Sequence, residues 1–140
     1  DFFFHVMNHQ GFFFSEQELD ETNPVFGHDL KSTVEYWSRQ VLERYITSTW
    51  TLVFYDFYIQ NRHDDRVQDY YRTYHEKWVK DISIIIEGLQ LKGWVPKEKE
   101  SGKLAVRCYD IITGSVLHHH MNGNRADPED MAEAIVRLLS

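Results

Sequence analysis

The stretch R-V-Q-D-Y-Y-R-T-Y-H-E-K-W-V-K-D-I-S-I-I-I-E-G-L-Q-L-K, Arg66 to Lys92, decides the fold. Within it Val67, Tyr71, Tyr74, Trp78, Ile82, Ile85 and Leu89 recur at steps of four, three, four, four, three and four, which places all seven on one stripe of a helix. Before Lys80 the remaining faces carry Gln68, Asp69, Arg72, Thr73, Glu76 and Lys77. Beyond it Ile84, Ile86 and Leu91 occupy flanks that were polar earlier. A helix that becomes apolar nearly all round must be covered on more than one side. Gly93 is placed to end it as a C′ residue, and Pro96 blocks continuation.

Working outward, Leu30, Val34, Trp37, Val41 and Tyr45 keep the same rhythm, with Asp29 as the N-cap. Thr47 to Asn61 is ambiguous. Trp50, Val53, Phe54, Phe57 and Tyr58 fit a helix, yet Leu52 to Ile59 is β-branched and aromatic enough for a buried strand; length favours helix. Asn61 to Asp65 is a polar break whose aspartates can cap the long helix. After a charged linker, Pro96 to Gly102, Lys103 to Met121 reads as a second long helix. Its broad apolar face carries Leu104, Cys108, Ile111, Ile112 and Val116, and the small residues Ala105, Gly114 and Ser115 permit close approach of a neighbour. Asn122 to Arg125 is a turn. Asp127-Pro128-Glu129-Asp130 then combines a capping Asp, a first-turn Pro and acids at the positive end of the helix dipole, opening a last helix to Leu139.

These elements predict an all-α antiparallel bundle of about five to six helices, with residues 27–140 as the folded domain and residues 1–26 as a residual connector. That leading segment carries the clusters Phe2 to Phe4 and Phe12 to Phe14 and is given a short helix at each end. An apolar beginning without Met suggests former attachment to something else.

The chain has 140 residues, one domain's worth, and 42% apolar residues suffice for a core. Fifteen basic against 22 acidic side chains give a net charge of −7, which repels phosphate backbones and anionic lipid. A single cysteine excludes an internal disulfide and suits a reducing compartment. No apolar run approaches the ~20 residues of a membrane span, and no secretion signal opens the chain. A cytoplasmic protein is expected.

Candidate sites divide unevenly. Three adjacent histidines, His118 to His120, point about 100° apart on a helix and cannot converge on one ion, so they are expected to be solvated or dimer-facing. His63-Asp64-Asp65 is placed for capping rather than acid/base work. Cys108 sits on an apolar face as a small hydrophobe. No phosphate loop, nucleophile elbow or paired carboxylates argue for catalysis, and no metal or cofactor is expected.

Aromatic content, 15%, is the unusual figure. Trp37, Tyr45, Trp50, Phe54, Phe57, Tyr58, Tyr71, Tyr74 and Trp78 fall on three successive helices that must pack together. They make either a plain core or an apolar cavity with phenol and indole handles, as small-molecule sites have. The apolar end of the long helix has two readings as well: the chain's own first segment covers it, or a second copy does. In the second, Ile82, Ile86, Leu89, Ile112 and Val116 form a four-helix homodimer interface from the last two long helices.

The residues W-V-K-D-I-S-I-I-I-E-G-L-Q-L-K-G from Trp78 to Gly93, followed by A-V-R-C-Y-D-I-I-T-G-S-V from Ala105 to Val116, resemble the closing part of TetR-like transcriptional regulators. The matching features are Gly88 and Gly93 at the end of the long helix, a central Gly114 in the next, and a short closing amphipathic helix. The aromatic segment and acidic break of Trp50 to Asp65 resemble one subgroup. The resemblance covers residues 30–140 and implies an all-helical effector domain that takes a small hydrophobic ligand and forms homodimers. It implies DNA binding through a helix-turn-helix head, which this sequence does not show; Asp1 to Met7 match at most the tail of a connecting helix. Two rivals are an α+β cone of the lyase or isomerase kind, with strands at Leu52 to Ile59 and Leu104 to Ile112 and a His-lined cavity, and a dimerisation module with no ligand.

Overall fold

The computed structural model describes residues 28–123 and 126–140; expectations for residues 1–26 lie outside the described residues. The described residues fold as five helices: α1 Leu30–Ile46, α2 Trp50–Asn61, α3 Asp65–Leu91, α4 Ser101–Asn122 and α5 Pro128–Leu139. No strand occurs among the described residues. Both segments that the cone-shaped alternative needed as strands, Leu52 to Ile59 and Leu104 to Ile112, are helical, which removes that alternative.

Helix ends are set by the residues that the sequence marks. Asp29 accepts from the Ser32 amide at 2.8 Å while Ser32 Oγ accepts from the Asp29 amide at 3.2 Å, a reciprocal capping box. Those bonds hold the Asp29 carboxyl below the usual carboxylate range. Asp64 caps α3 through the Arg66 amide at 2.9 Å, and Asp127 caps α5 through the Glu129 amide at 2.9 Å with Pro128 behind it. At the far end of α3, Gly93 takes φ +79°. Its amide donates to Gln90 O and the Trp94 amide to Leu89 O, the double closure that needs a left-handed residue. Gln90 Nε2 then fastens the linker by donating to the carbonyls of Pro96 at 3.0 Å and Lys99 at 2.8 Å.

In packing, α3 lies along α4, α1 along α5, α5 and α1 both touch α4, and α2 rests against α3 and α4. The apolar end of α3 is covered from within the protomer. Ile82, Ile85 and Ile86 surround one small interior space together with Val34 and Val41 of α1, Cys108 and Ile112 of α4, and Met131, Ile135 and Leu139 of α5. This corrects the expected dimer surface: Ile82, Ile86, Leu89, Ile112 and Val116 are each 7% exposed or less in a single chain. The reason is energetic. A fully buried Ile or Leu gains ~1.5–3 kcal/mol, and α1 and α5 supply the apolar faces that collect it without a second copy. The exposed large apolar side chains on these helices are instead Ile84 and Leu91 of α3 and Val106 and Met121 of α4.

Candidate effector cleft

Four helices bring aromatic side chains to one place. Tyr45 comes from the last turn of α1. Trp50, Thr51, Phe54 and Tyr55 come from one face of α2, Tyr74 and Trp78 from α3, and Tyr109, Ile112, Thr113 and Val116 from α4 at helical spacing. They enclose an inner cavity of about 40 Å³, room for one small group. Phe54, Tyr55, Tyr74 and Tyr109 also form the inner wall of an open groove of about 530 Å³, completed by Tyr58, Gln68, Tyr71, Arg72 and His75. The rings meet at tilted and edge-on angles: Phe54 lies 4.4 Å from Tyr71 and 4.7 Å from Tyr74, and Trp78 lies 5.8 Å from Tyr45 and 5.3 Å from Tyr109.

Phenol hydroxyls give this cleft its polarity. The Tyr71 hydroxyl donates to the Phe54 carbonyl and ties α2 to α3. The Tyr109 ring stands between Tyr55 and Thr113 on the cavity wall. The Tyr45 hydroxyl is buried and has no hydrogen-bond partner among the described residues. Burial pushes the Tyr45 phenol up to about 12, opposed weakly by Arg44, and it pushes Tyr71, Tyr74 and Tyr109 up as well. All four therefore stay protonated at physiological pH and can donate hydrogen bonds. A buried hydroxyl left without a partner carries a desolvation cost of ~1–3 kcal/mol. In Tyr45 that cost falls on a residue lining a cavity, where a ligand atom can relieve it.

Seven of the nine aromatic residues singled out from sequence reach this place: Tyr45, Trp50, Phe54, Tyr58, Tyr71, Tyr74 and Trp78. Two do not. Trp37 turns into the interior space beside Val34 and Ser38, because its position on α1 faces α3 and α5. Phe57 is half-buried on α2 and lines neither the cavity nor the groove. Sequence reasoning missed Tyr55, Arg72, His75 and Tyr109. Gln68, Arg72 and His75 step by four and three beside the Tyr71–Tyr74 stripe, the one sequence signal that marks them as neighbours of the aromatic floor.

The remaining candidates have structural work. His118 is exposed, but His119 Nδ1 accepts from the Ala126 amide at 2.9 Å and His120 Nε2 lies 3.1 Å from the Tyr45 carbonyl oxygen. Two of the three histidines expected to face solvent or a partner thus clasp the protomer's own helices. No group of three metal-ligating side chains converges among the described residues. Cys108 is buried, and burial pushes its thiol up to about 12, far from nucleophilic use. No described helix is long and apolar enough to cross a membrane.

A family model described as the C-terminal part of BetI-type transcriptional repressors matches residues 37–140, from the middle of α1 to the end of α5. No curated protein and no solved structure matches the chain. The matched span includes α2, α3 and α4 with the aromatic cleft between them. On that match, the chain belongs to the family of BetI-type, TetR-like transcriptional repressor C-terminal domains.

Proposed function

We infer that residues 27–140 are the effector-sensing and dimerisation domain of a cytoplasmic transcriptional regulator, and that a small hydrophobic or aromatic effector binds the cleft between α2, α3 and α4. Residues 1–26 serve as the connector to a helix-turn-helix domain outside these 140 residues. The observation that carries this reading is the aromatic cleft itself, with a buried Tyr45 hydroxyl on its wall that has no hydrogen-bond partner among the described residues. Membership in a repressor family supports regulation rather than enzymatic turnover.

The mechanism is a population shift. Tyr71, Tyr74 and Trp78 belong to the first half of α3, whose second half is the centre of the core. A ligand that prefers one tilt of α3 against α2 selects one arrangement of the whole bundle, and thereby the spacing of two DNA-reading domains in a homodimer. For that dimer the outward stripe of α4 is the surface of choice: Val106, Leu117 and Met121 share it with Gly114, where an added Cβ would meet nothing within 4 Å. DNA contact by this chain alone is disfavoured by its charge of −7.

The test is thermal. A panel of small aromatic compounds, neutral and charged, is screened against the protein, and binders raise the melting temperature by mass action. Binders should lose that effect in Tyr74→Ala and keep it in Phe57→Ala. A panel that leaves the melting temperature unmoved would sink the sensor reading.

A further inference from the structure

We propose that the cleft selects an anionic aromatic ligand, with its ring on the Phe54, Tyr71 and Tyr74 side chains and its carboxylate at Arg72 and His75. The proposal rests on the reading of the cleft as an effector site and specifies the chemistry of that effector.

The argument is one of charge placement. The chain carries 22 acidic residues against 15 basic ones, so nine lining residues drawn from it at random would include between one and two carboxylates on average. Among the described residues, the groove of about 530 Å³ is lined by no carboxylate. Its described lining carries one fixed charge, the guanidinium of Arg72, beside the His75 ring, and burial holds the Tyr71, Tyr74 and Tyr109 phenols protonated. Gln68, on the same rim, is already occupied, its Nε2 donating to the Arg62 carbonyl at 2.6 Å. With Gln68 Nε2 and the Tyr71 proton already committed, the charged donor that this rim presents to an entering group is Arg72.

Position reinforces composition. Arg72 and His75 follow Tyr71 and Tyr74 by one residue each on α3, so an edge of guanidinium and imidazole nitrogens runs parallel to the aromatic floor along the same helix. His75 is held edge-on against Tyr109, with centroids 5.0 Å apart and planes at 83°, which fixes the ring at the mouth of the groove. Arg72 pairs with Asp69 at 2.9 Å, using one of five guanidinium donors, and Asp69 lies outside the lining. A planar carboxylate can take two further donors of the fork while its ring stacks inward. A cationic ligand would find ring faces for cation–π contact but no counter-charge, and it would sit against Arg72.

Three probes that share one ring test the class: phenylacetate, its neutral amide phenylacetamide, and the cationic phenethylamine. Binding is followed by melting temperature and by the indole N–H signals of Trp50 and Trp78, which line the adjoining inner cavity, against Trp94 outside it. Phenylacetate is expected to bind with at least about tenfold preference over both relatives, and Arg72→Gln to remove that preference while the unliganded melting temperature stays put. If the amide or the amine binds as tightly while moving the Trp50 and Trp78 signals, the anionic class is overturned and the effector cleft stands. If phenylacetate binds equally well to Arg72→Gln, the assigned rim is wrong. Silence from all three probes also overturns the anionic class, and the wider compound panel then decides the cleft separately.

Discussion

His120 Nε2 lies 3.1 Å from the main-chain carbonyl oxygen of Tyr45, joining the last turns of α4 and α1 across 75 residues of sequence. A carbonyl only accepts, so the ring presents Nε2–H to it. The neighbouring His119 accepts from the Ala126 amide at the entry to α5, so two consecutive imidazoles hold a cleft residue and the closing helix to the same end of α4. Replacing His120 with Ala should cost ~1 kcal/mol, the net value of one such bond, and lower the melting temperature by a few degrees. A calorimetric scan that finds His120→Ala as stable as the parent would show that the clasp contributes nothing.

Tyr45 itself should behave in the opposite way. Its hydroxyl is buried without a partner among the described residues, so Tyr45→Phe removes a desolvated polar group and keeps the ring contact with Trp78. The unliganded variant is expected to be as stable as the parent or more stable. The phenol also has a raised value, about 12 against 10.0, so the folded state favours the protonated form. Its contribution to stability is complete below pH 10 and is lost as pH climbs from 10 to about 12. Urea titrations across that window should show a shallower alkaline decline for Tyr45→Phe than for the parent.

Much of this architecture was legible because its signals are local. The seven-residue stripe from Val67 to Leu89, the caps at Asp29, Asp64 and Asp127, and the Gly93 stop depend on short-range sterics and hydrogen bonds, and each sits where the spacing puts it. The partner of the Ile82 to Leu89 face was not legible. A stripe states that a surface is buried, not whether α1 and α5 or a second chain does the burying, and those helices are about 40 to 60 residues away in sequence. Cleft composition failed for a related reason: Arg72 and His75 look like ordinary solvated positions until α2 folds back to put an aromatic wall beside them.

The corrected interior yields a contrast between two substitutions. Ile86 is 1% exposed in a single chain, so Ile86→Ala should destabilise the fold by ~2–5 kcal/mol and Ile86→Glu should unfold it rather than release monomers. Val106, 37% exposed on the outward face of α4, should tolerate Glu in the fold. Size-exclusion chromatography with circular dichroism separates the two outcomes. A folded, monomeric Val106→Glu supports the α4 interface, and an unchanged elution volume removes it.

Cys108 offers a probe of opening that needs no mutation. Its side chain is 3% exposed among α1, α3 and α5 residues, and burial lifts the thiol from 9.0 to about 12. A thiol-specific reagent at pH 8 should leave the native protein unlabelled over minutes, and labelling should accelerate in step with global unfolding as urea is added. An effector that closes the cleft should slow that labelling further. Rapid reaction in the native protein would mean that the core around Cys108 opens locally.

Asp81 is the charged residue buried in the middle of α3, 7% exposed between the aromatic and aliphatic halves of its stripe. Burial pushes its carboxyl above the usual range, with Lys77 and Lys80 pulling only partly the other way. A raised carboxylate favours the protonated fold, so the stability it lends is present below the unfolded value and is lost as pH rises through the folded one. At neutral pH the ionised group therefore works against the native state. Asp81→Asn keeps the shape and removes the charge, and it should raise the melting temperature by a few degrees at pH 7 while making little difference at pH 4. A variant that melts lower than the parent at pH 7 would mean that the ionised carboxylate holds a favourable contact in the bundle, and that α3 is stabilised rather than strained at its centre.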